Sequence, residues 1–154
     1  MKIIYYYQTF CGLNNIINDI NNNVTHIHLS SIHFNTDMIH LNDNSPYSKI
    51  YDNLWKELET VSIQKNIKII LMIGGAGGAY EQLFENFEKY YKWLFNLINA
   101  KKNIIKGVDL DIEEVVDINM VIKLINRLKT DFGEKFIISM APIESSMETD
   151  NEGM

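Results

Sequence analysis

The run Ile67–Ile73 limits the possible folds more than any other stretch, because it is apolar at every position but one and leads into the glycine-rich segment Gly74–Gly78. A strand with one buried face alternates apolar and polar residues, so a run of this kind indicates a strand that is buried on both faces. Such strands are typical of parallel sheets covered by helices. The sequence therefore predicts an α/β fold.

Strands and helices are predicted to alternate along the chain. Stretches rich in β-branched and aromatic residues predict further strands at Ile3–Gln8, Thr25–Phe34, Lys106–Glu114 and Lys135–Pro142. Apolar residues at steps of three and four predict helices at Leu13–Asn22, Tyr47–Gln64, Tyr80–Ala100 and Ile118–Asp131. The resulting βα units fit either a doubly wound sheet or part of a (β/α)8 barrel, and both folds bind ligands at the carboxyl ends of their strands.

The predicted strand Lys106–Glu114, with the sequence KGVDLDIEE, carries the most unusual side chains. Its acids Asp109, Asp111 and Glu113 are two residues apart, so in an extended strand they share one face. Carboxylates on a buried face are costly unless they are paired or neutralised, which makes this face a candidate for chemistry. The residues alone also allow two plainer interpretations: an exposed strand whose acids face water, or a divalent-cation site with oxygen ligands.

Composition excludes several classes of function. The net charge is −6 and Lys and Arg form no cluster, which argues against a nucleic-acid-binding surface. Cys11 is the single cysteine, so an internal disulfide is impossible. The N-terminus is too polar for a secretory signal, and no apolar run approaches the roughly 20 residues of a membrane span. We therefore expect a soluble, cytoplasmic protein of one domain, with no membrane partner.

Two further motifs have weaker functional interpretations. The segment Gly74–Gly78 could suggest a dinucleotide-binding loop, but Tyr80 stands where the third glycine of GxGxxG would be, so a tight turn is the better interpretation. His26 and His28 lie on one predicted strand face and could bind a metal ion together with Asp111. Hydrogen-bonded packing is the commoner role of such histidines, and we predict no metal site.

Four stretches in order carry a resemblance to a known family. The stretch KGVDLDIEE resembles the DGxDxDxE signature of glycoside hydrolase family 18, the chitinases and endo-β-N-acetylglucosaminidases. Thr25–Ile27 (THI) is similar to the family's second-strand motif, ILMIGG at Ile70–Gly75 to its SxGG motif, and ISMAP at Ile138–Pro142 to its LTxAP motif. The resemblance implies an incomplete TIM barrel: a partial catalytic domain over residues 1–154, with 144–154 as a disordered tail.

The resemblance also implies roles for the acids. Glu113 takes the place of the general acid that protonates the glycosidic oxygen, and Asp111 that of the acid that orients the substrate's acetamido group. Asp109 is the inner acid that holds charge near Asp111. In this family the substrate's own N-acetyl oxygen is the nucleophile, so no cofactor is needed. Charge repulsion between Asp111 and Glu113 should also raise one pKa of the pair, which would keep Glu113 protonated near neutral pH.

The implied substrate is a polysaccharide or glycan that contains N-acetylglucosamine. Tyr6 matches the family's first-strand tyrosine, and Gly74 and Gly75 end the third strand, so these three residues are the expected substrate-binding positions. Two residues depart from the family pattern: Lys106 replaces the first aspartate of the signature, and Met72 replaces the serine of SxGG and cannot donate a hydrogen bond to Asp109.

Length is the largest departure, because a complete barrel needs about 250 residues. Three functions therefore stay open: a hydrolase of β-1,4-linked N-acetylglucosamine, a carbohydrate-binding relative without turnover, and a truncated product that lacks the later strands. An incomplete barrel would leave sheet edges that can associate with other chains. Glu113 argues against the binding-only relative, because non-catalytic members of such a family typically lose the acid.

Overall fold

The structure, a computed structural model, describes residues 1–13 and 23–141. Except for its first residue, the predicted helix Leu13–Asn22 lies outside these residues, and so does the predicted tail 144–154. None of the helices within the described ranges is both long and apolar enough to span a lipid bilayer.

One sheet organises the described chain. Its strands are β1 (Ile4–Tyr7), β2 (His26–Phe34), β3 (Ile39–Leu41), β4 (Lys68–Gly74), β5 (Ile105–Asp111) and β6 (Ile137–Met140). The parallel strands pair in the order β1-β2-β4-β5-β6. Because this order follows the chain without a reversal, the fold is an incomplete (β/α)8 barrel and not a doubly wound sheet, whose order reverses at its centre.

Within residues 1–13 and 23–141, four α-helices connect and cover the strands. They are α1 (Asp52–Lys65, after a 3-10 turn at Lys49–Tyr51), α2 (Tyr80–Glu85), α3 (Phe87–Ala100) and α4 (Ile118–Phe132). The prediction of a single helix over Tyr80–Ala100 is wrong, because the chain breaks at Asn86, whose backbone leaves the helical region. The Asn86 side chain accepts a hydrogen bond from the amide of Lys89 and so caps α3, a role that asparagine commonly fills.

A short antiparallel hairpin was not predicted. Strand β3 pairs with the end of β2 in the segment between the predicted strand Thr25–Phe34 and the predicted helix Tyr47–Gln64. Asn42, which has a positive φ of 52°, follows β3 directly and accepts a hydrogen bond from the amide of Ser31. The hairpin is only three residues long on one side, which is too short for a periodic pattern to be recognised.

The apolar core lies between the sheet and its helices. Alternate residues of the central strands, among them Leu71, Ile73 and Leu110, are fully buried in one cluster with the helices. Helix α1 contributes Leu54, Trp55, Leu58 and Val61 to this cluster, whereas Ile50, which has the same three- to four-residue spacing, is 62% exposed. The intervening residues of each strand point to the opposite side of the sheet, which is the barrel interior. Asp109 on β5 is one of these residues.

Candidate active site

The acidic residues meet at the carboxyl ends of β4 and β5. Gly74, the last residue of β4, pairs with Asp111, the last residue of β5. The strand was predicted to extend to Glu114 but ends at Asp111, so Glu113 lies in the segment that follows and is exposed. Strand alternation therefore places Asp109 and Asp111 on one face, whereas the position of Glu113 depends on the path of the chain after the strand.

Asp109 is the buried centre of the site, with only 1% of its surface exposed. The Tyr6 hydroxyl of β1 donates a hydrogen bond to its Oδ2 at 3.2 Å, and the Ser139 hydroxyl of β6 donates to its Oδ1 at 2.5 Å. His28 Nδ1, from β2, lies 3.2 Å from Oδ2. His28 Nδ1 makes no hydrogen bond of regular geometry there, so the contact is mainly electrostatic.

These neighbours keep Asp109 ionised. Burial on its own would raise the pKa of the Asp109 carboxyl, but the contact with His28 and the hydrogen bonds from Ser139 and Tyr6 outweigh it, so the pKa is lowered. The contact between Tyr6 and Asp109 also changes the pKa of the tyrosine, in the opposite direction. Burial and then the negative charge of Asp109 raise the pKa of Tyr6 to about 12, so its hydroxyl stays a hydrogen-bond donor. The site therefore has a fixed buried negative charge.

Asp111 is half-buried, and its pKa is shifted in the opposite direction from that of Asp109. Burial raises the pKa of its carboxyl, and the charges of Glu113 and Asp109 raise it further. The raised pKa of the Asp111–Glu113 pair is therefore found at Asp111, whereas the role of Glu113 as the general acid stays a prediction. Asp111 thus lies between one buried carboxylate and one exposed carboxylate, and the charges of both favour a proton on it.

The two glycines at the end of β4 are required by the close approach of β5. At Gly74, with a φ of +95°, a Cβ atom would lie 2.3 Å from the carbonyl oxygen of Asp111. At Gly75 it would lie 3.1 Å from Asp111 Oδ2, and the Gly75 amide donates a 2.9 Å hydrogen bond to the Asp111 carbonyl. The glycines thereby fix the end of β5; their expected contact with substrate stays a prediction.

Sequence analysis missed three polar residues of the site. His28 was interpreted only as a packing or metal-binding residue, and Ser139 was not singled out, although it pairs with Asp109 in the sheet register. Ser139 supplies the hydroxyl that Met72 cannot, while Met72 Sδ instead accepts a 3.0 Å hydrogen bond from Ser30. A register drawn through the KGVDLDIEE and ISMAP stretches could have found Ser139, because both motifs lie on neighbouring strands.

The third missed residue is Glu114. Its carboxylate accepts hydrogen bonds from the backbone amides of Ala79, Tyr80 and Glu81 at 2.6, 2.7 and 3.1 Å. A dinucleotide-binding loop would need these amides at the start of a helix for a phosphate group. The carboxylate of the chain already occupies them, which argues against the nucleotide interpretation of Gly74–Gly78.

The histidine pair has different surroundings from those of a metal site. His28 is buried against Asp109 and its ring contacts Tyr6 edge-on, whereas His26 Nδ1 lies 2.8 Å from the hydroxyl of Thr25. Within residues 1–13 and 23–141, no group of three or more His, Cys, Asp or Glu side chains is arranged to hold a metal ion.

Comparison with known proteins gives one consistent family. The model of the glycosyl hydrolases family 18 matches residues 2–152. The chitinase ChiC from Aspergillus fumigatus is 35% identical, with 90% of this chain and 53% of that protein covered and a TM-score of 0.80. A fungal endo-β-N-acetylglucosaminidase from glycosyl hydrolase family 18 is 30% identical, with 92% and 54% covered and a TM-score of 0.79.

More distant structures share the fold. The Group IV chitinase from Ostrinia furnacalis in complex with allosamidin is 19% identical, with 91% of this chain and 43% of that protein covered and a TM-score of 0.67. No protein with a curated description matches significantly. The chain spans about half the length of the solved relatives that it matches.

Proposed function

Since the chain belongs to glycosyl hydrolase family 18, we propose that it carries the catalytic acids of an enzyme that hydrolyses β-1,4-linked N-acetylglucosamine, in chitin-like polymers or in N-glycan cores. The observation that carries the proposal is the graded row of acids at one end of the sheet. Asp109 is buried and ionised, Asp111 is half-buried with a raised pKa, and Glu113 is exposed.

This grading supports the two-step reaction that the family implies. Glu113 gives its proton to the glycosidic oxygen as the bond to the anomeric carbon breaks, and the acetamido oxygen of the same sugar attacks that carbon. Asp111 accepts a hydrogen bond from the acetamido N–H and stabilises the positive charge of the resulting oxazolinium ring. In the second half-reaction, water adds to the anomeric carbon as the bond from that carbon to the acetamido oxygen breaks. The water gives a proton to Glu113, and the configuration is retained.

Asp109 supports this chemistry without touching the sugar. Its buried charge contributes to the raised pKa of Asp111, so a proton at Asp111 is stabilised before substrate binds. When the acetamido group arrives, the proton moves to Glu113, and Asp111 is left ionised as the acceptor of the acetamido N–H. Tyr6 and Ser139 keep Asp109 in place through this exchange because both donate to its carboxylate.

The experiment compares the chain with its Glu113→Gln variant, both for hydrolysis of a fluorogenic chitobioside and for binding of chitotriose. We expect both proteins to bind and only the unsubstituted chain to turn over. Equal hydrolysis by Glu113→Gln would refute the assignment. As a control, Glu59→Gln removes an exposed acid from helix α1, which is not part of the proposed site. This variant should leave both measurements unchanged.

A carbohydrate-binding relative without turnover is the second candidate. It would show chitotriose binding with no hydrolysis by either protein, even at high protein concentration. The exposed Glu113 and the raised pKa of Asp111 favour the enzyme, because binding alone requires neither. For the 154-residue chain we expect slow hydrolysis, since its relatives are about twice as long.

A further inference from the structure

Among the residues that the structure describes, the carboxylate of Glu114 accepts more hydrogen bonds than any acid of the proposed catalytic row. Its Oε1 accepts from the amides of Ala79 and Tyr80, and its Oε2 accepts from the amide of Glu81. The first amides of a helix have no partner within the helix, and they form its positive end. Glu114 therefore closes the start of α2 with three charge-assisted hydrogen bonds.

The segment that Glu114 contacts is itself attached to two strands. The carbonyl of Gly78 lies 2.9 Å from His33 Nδ1 on β2, and His33 Nε2 lies 2.7 Å from the hydroxyl of Ser31. Because a carbonyl can only accept, Nδ1 is the donor in this contact. On the other side the amide of Gly75 donates to the carbonyl of Asp111. The glycine-rich segment is thus a fixed support.

Glu113 contrasts with its neighbour. It is exposed, and within the described part of the chain its carboxylate accepts no hydrogen bond. Its position is set by the backbone on either side, which is held at Asp111 by the sheet and at Glu114 by α2.

We propose that Glu114 is a positioning residue: it anchors the segment after β5 to α2 and thereby holds the Glu113 carboxyl beside Asp111. This inference rests on the proposed function of Glu113. Glu114 does not touch the substrate. Its effect is geometric, and a displacement of about 1 Å in a reacting group can cost on the order of 100-fold in rate.

Substitution of Glu114 should act on turnover and not on affinity. For Glu114→Ala we expect kcat to fall about 10- to 100-fold with a KM within about twofold of that of the unsubstituted chain. Glu114→Gln keeps an oxygen that can accept from Ala79 and Tyr80 but loses the charge, so its kcat should lie between the two. The control Glu85→Gln removes an exposed acid from the same helix and should change neither constant.

A second readout does not depend on turnover. The carboxyl 13C resonance of Asp111 is followed by NMR from pH 2 to 8 in the unsubstituted chain and in the variants Glu113→Gln, Glu114→Ala and Glu85→Gln. The charge of Glu113 raises the pKa of Asp111, whereas Glu114 is not among the charges that do so. Glu113→Gln should therefore lower this pKa. Glu114→Ala should lower it too, because Glu113 moves away, and Glu85→Gln should leave it unchanged.

The outcomes separate this inference from the proposed function. If Glu114→Ala leaves both the Asp111 titration and kcat unchanged, the positioning role is wrong, whatever Glu113 does. If Glu113→Gln hydrolyses normally, the proposed function fails, while the Asp111 titration still decides whether Glu114 positions Glu113. If Glu114→Ala does not fold, Glu114→Gln decides: an Asp111 pKa equal to that of the unsubstituted chain overturns the inference.

Discussion

Replacing Gly74 by alanine should destabilise the chain far more than the same change at Gly77. Both glycines have a positive φ, +95° and +100°, so both substitutions carry the backbone penalty of about 1–2 kcal/mol. The two positions differ in the room available for a Cβ atom. A Cβ at Gly74 would lie 2.3 Å from the Asp111 carbonyl oxygen, whereas a Cβ at Gly77 has no atom within 4 Å.

The close contact at Gly74 adds a loss of stability that the Gly77 variant does not have. The atom that the new Cβ meets belongs to the backbone, so no rotamer change relieves the overlap, and overpacking of this kind costs about 1–3 kcal/mol. If β5 moves away, the hydrogen bond from the Gly75 amide to Asp111 is also lost, which costs about 1 kcal/mol. Gly74→Ala should therefore lose about 2–4 kcal/mol more than Gly77→Ala.

Urea denaturation followed by tryptophan fluorescence measures this difference, because Trp55 is buried in the core that unfolds. Natural domains have about 5–15 kcal/mol of stability, so Gly74→Ala could approach the limit of folding, while Gly77→Ala should unfold in a normal cooperative transition. Equal losses of stability in the two variants would show that β4 and β5 do not approach each other as closely as described.

Two further predictions concern charge and capping. The lowered pKa of Asp109 means that its stabilising contribution is fully present above the ordinary aspartate pKa of about 3.9 and is lost as the pH falls through the lowered value. Asp109→Asn should therefore have a urea midpoint that falls less between pH 4 and pH 2 than that of the unsubstituted chain; parallel curves would contradict the electrostatic account. Asn86→Ala removes the cap of α3 and should cost about 1 kcal/mol in urea denaturation. Asn96→Ala, at an exposed position within α3, is its control, and a loss as large as that of Asn86→Ala would argue against the cap.

Periodicity predicted the strands and most of the buried faces because those depend on local sequence. The run Ile67–Ile73 was expected to be buried on both faces, and β4 is buried at every position after Lys68. The four family motifs placed Asp109 and Asp111 on one strand face at the correct end of the sheet. These are properties that a pattern of two or 3.6 residues contains directly.

What periodicity could not predict depends on neighbours that are distant in sequence. Alternation continued past Asp111 and predicted a strand as far as Glu114, because a pattern does not record where hydrogen bonding to the next strand stops. Glu114 itself had no visible role until α2 was placed beside it, 33 to 35 residues away in sequence. The break at Asn86 was missed because the apolar spacing continues through it, and only the capping preference of asparagine indicated a boundary.

The contact between Tyr6 and Asp109 has a consequence for how the site is assembled. In the sheet, β1 and β5 are separated by β2 and β4, so in a flat sheet their backbones would be about 14 Å apart at the usual strand spacing. The two side chains nevertheless meet at 3.2 Å across the concave side. This hydrogen bond joins two strands that are not adjacent, and it can form only while the sheet is curved. Flattening the sheet would remove a hydrogen-bond donor from Asp109, so the hydrogen bonding of this buried carboxylate depends on the curvature of the barrel.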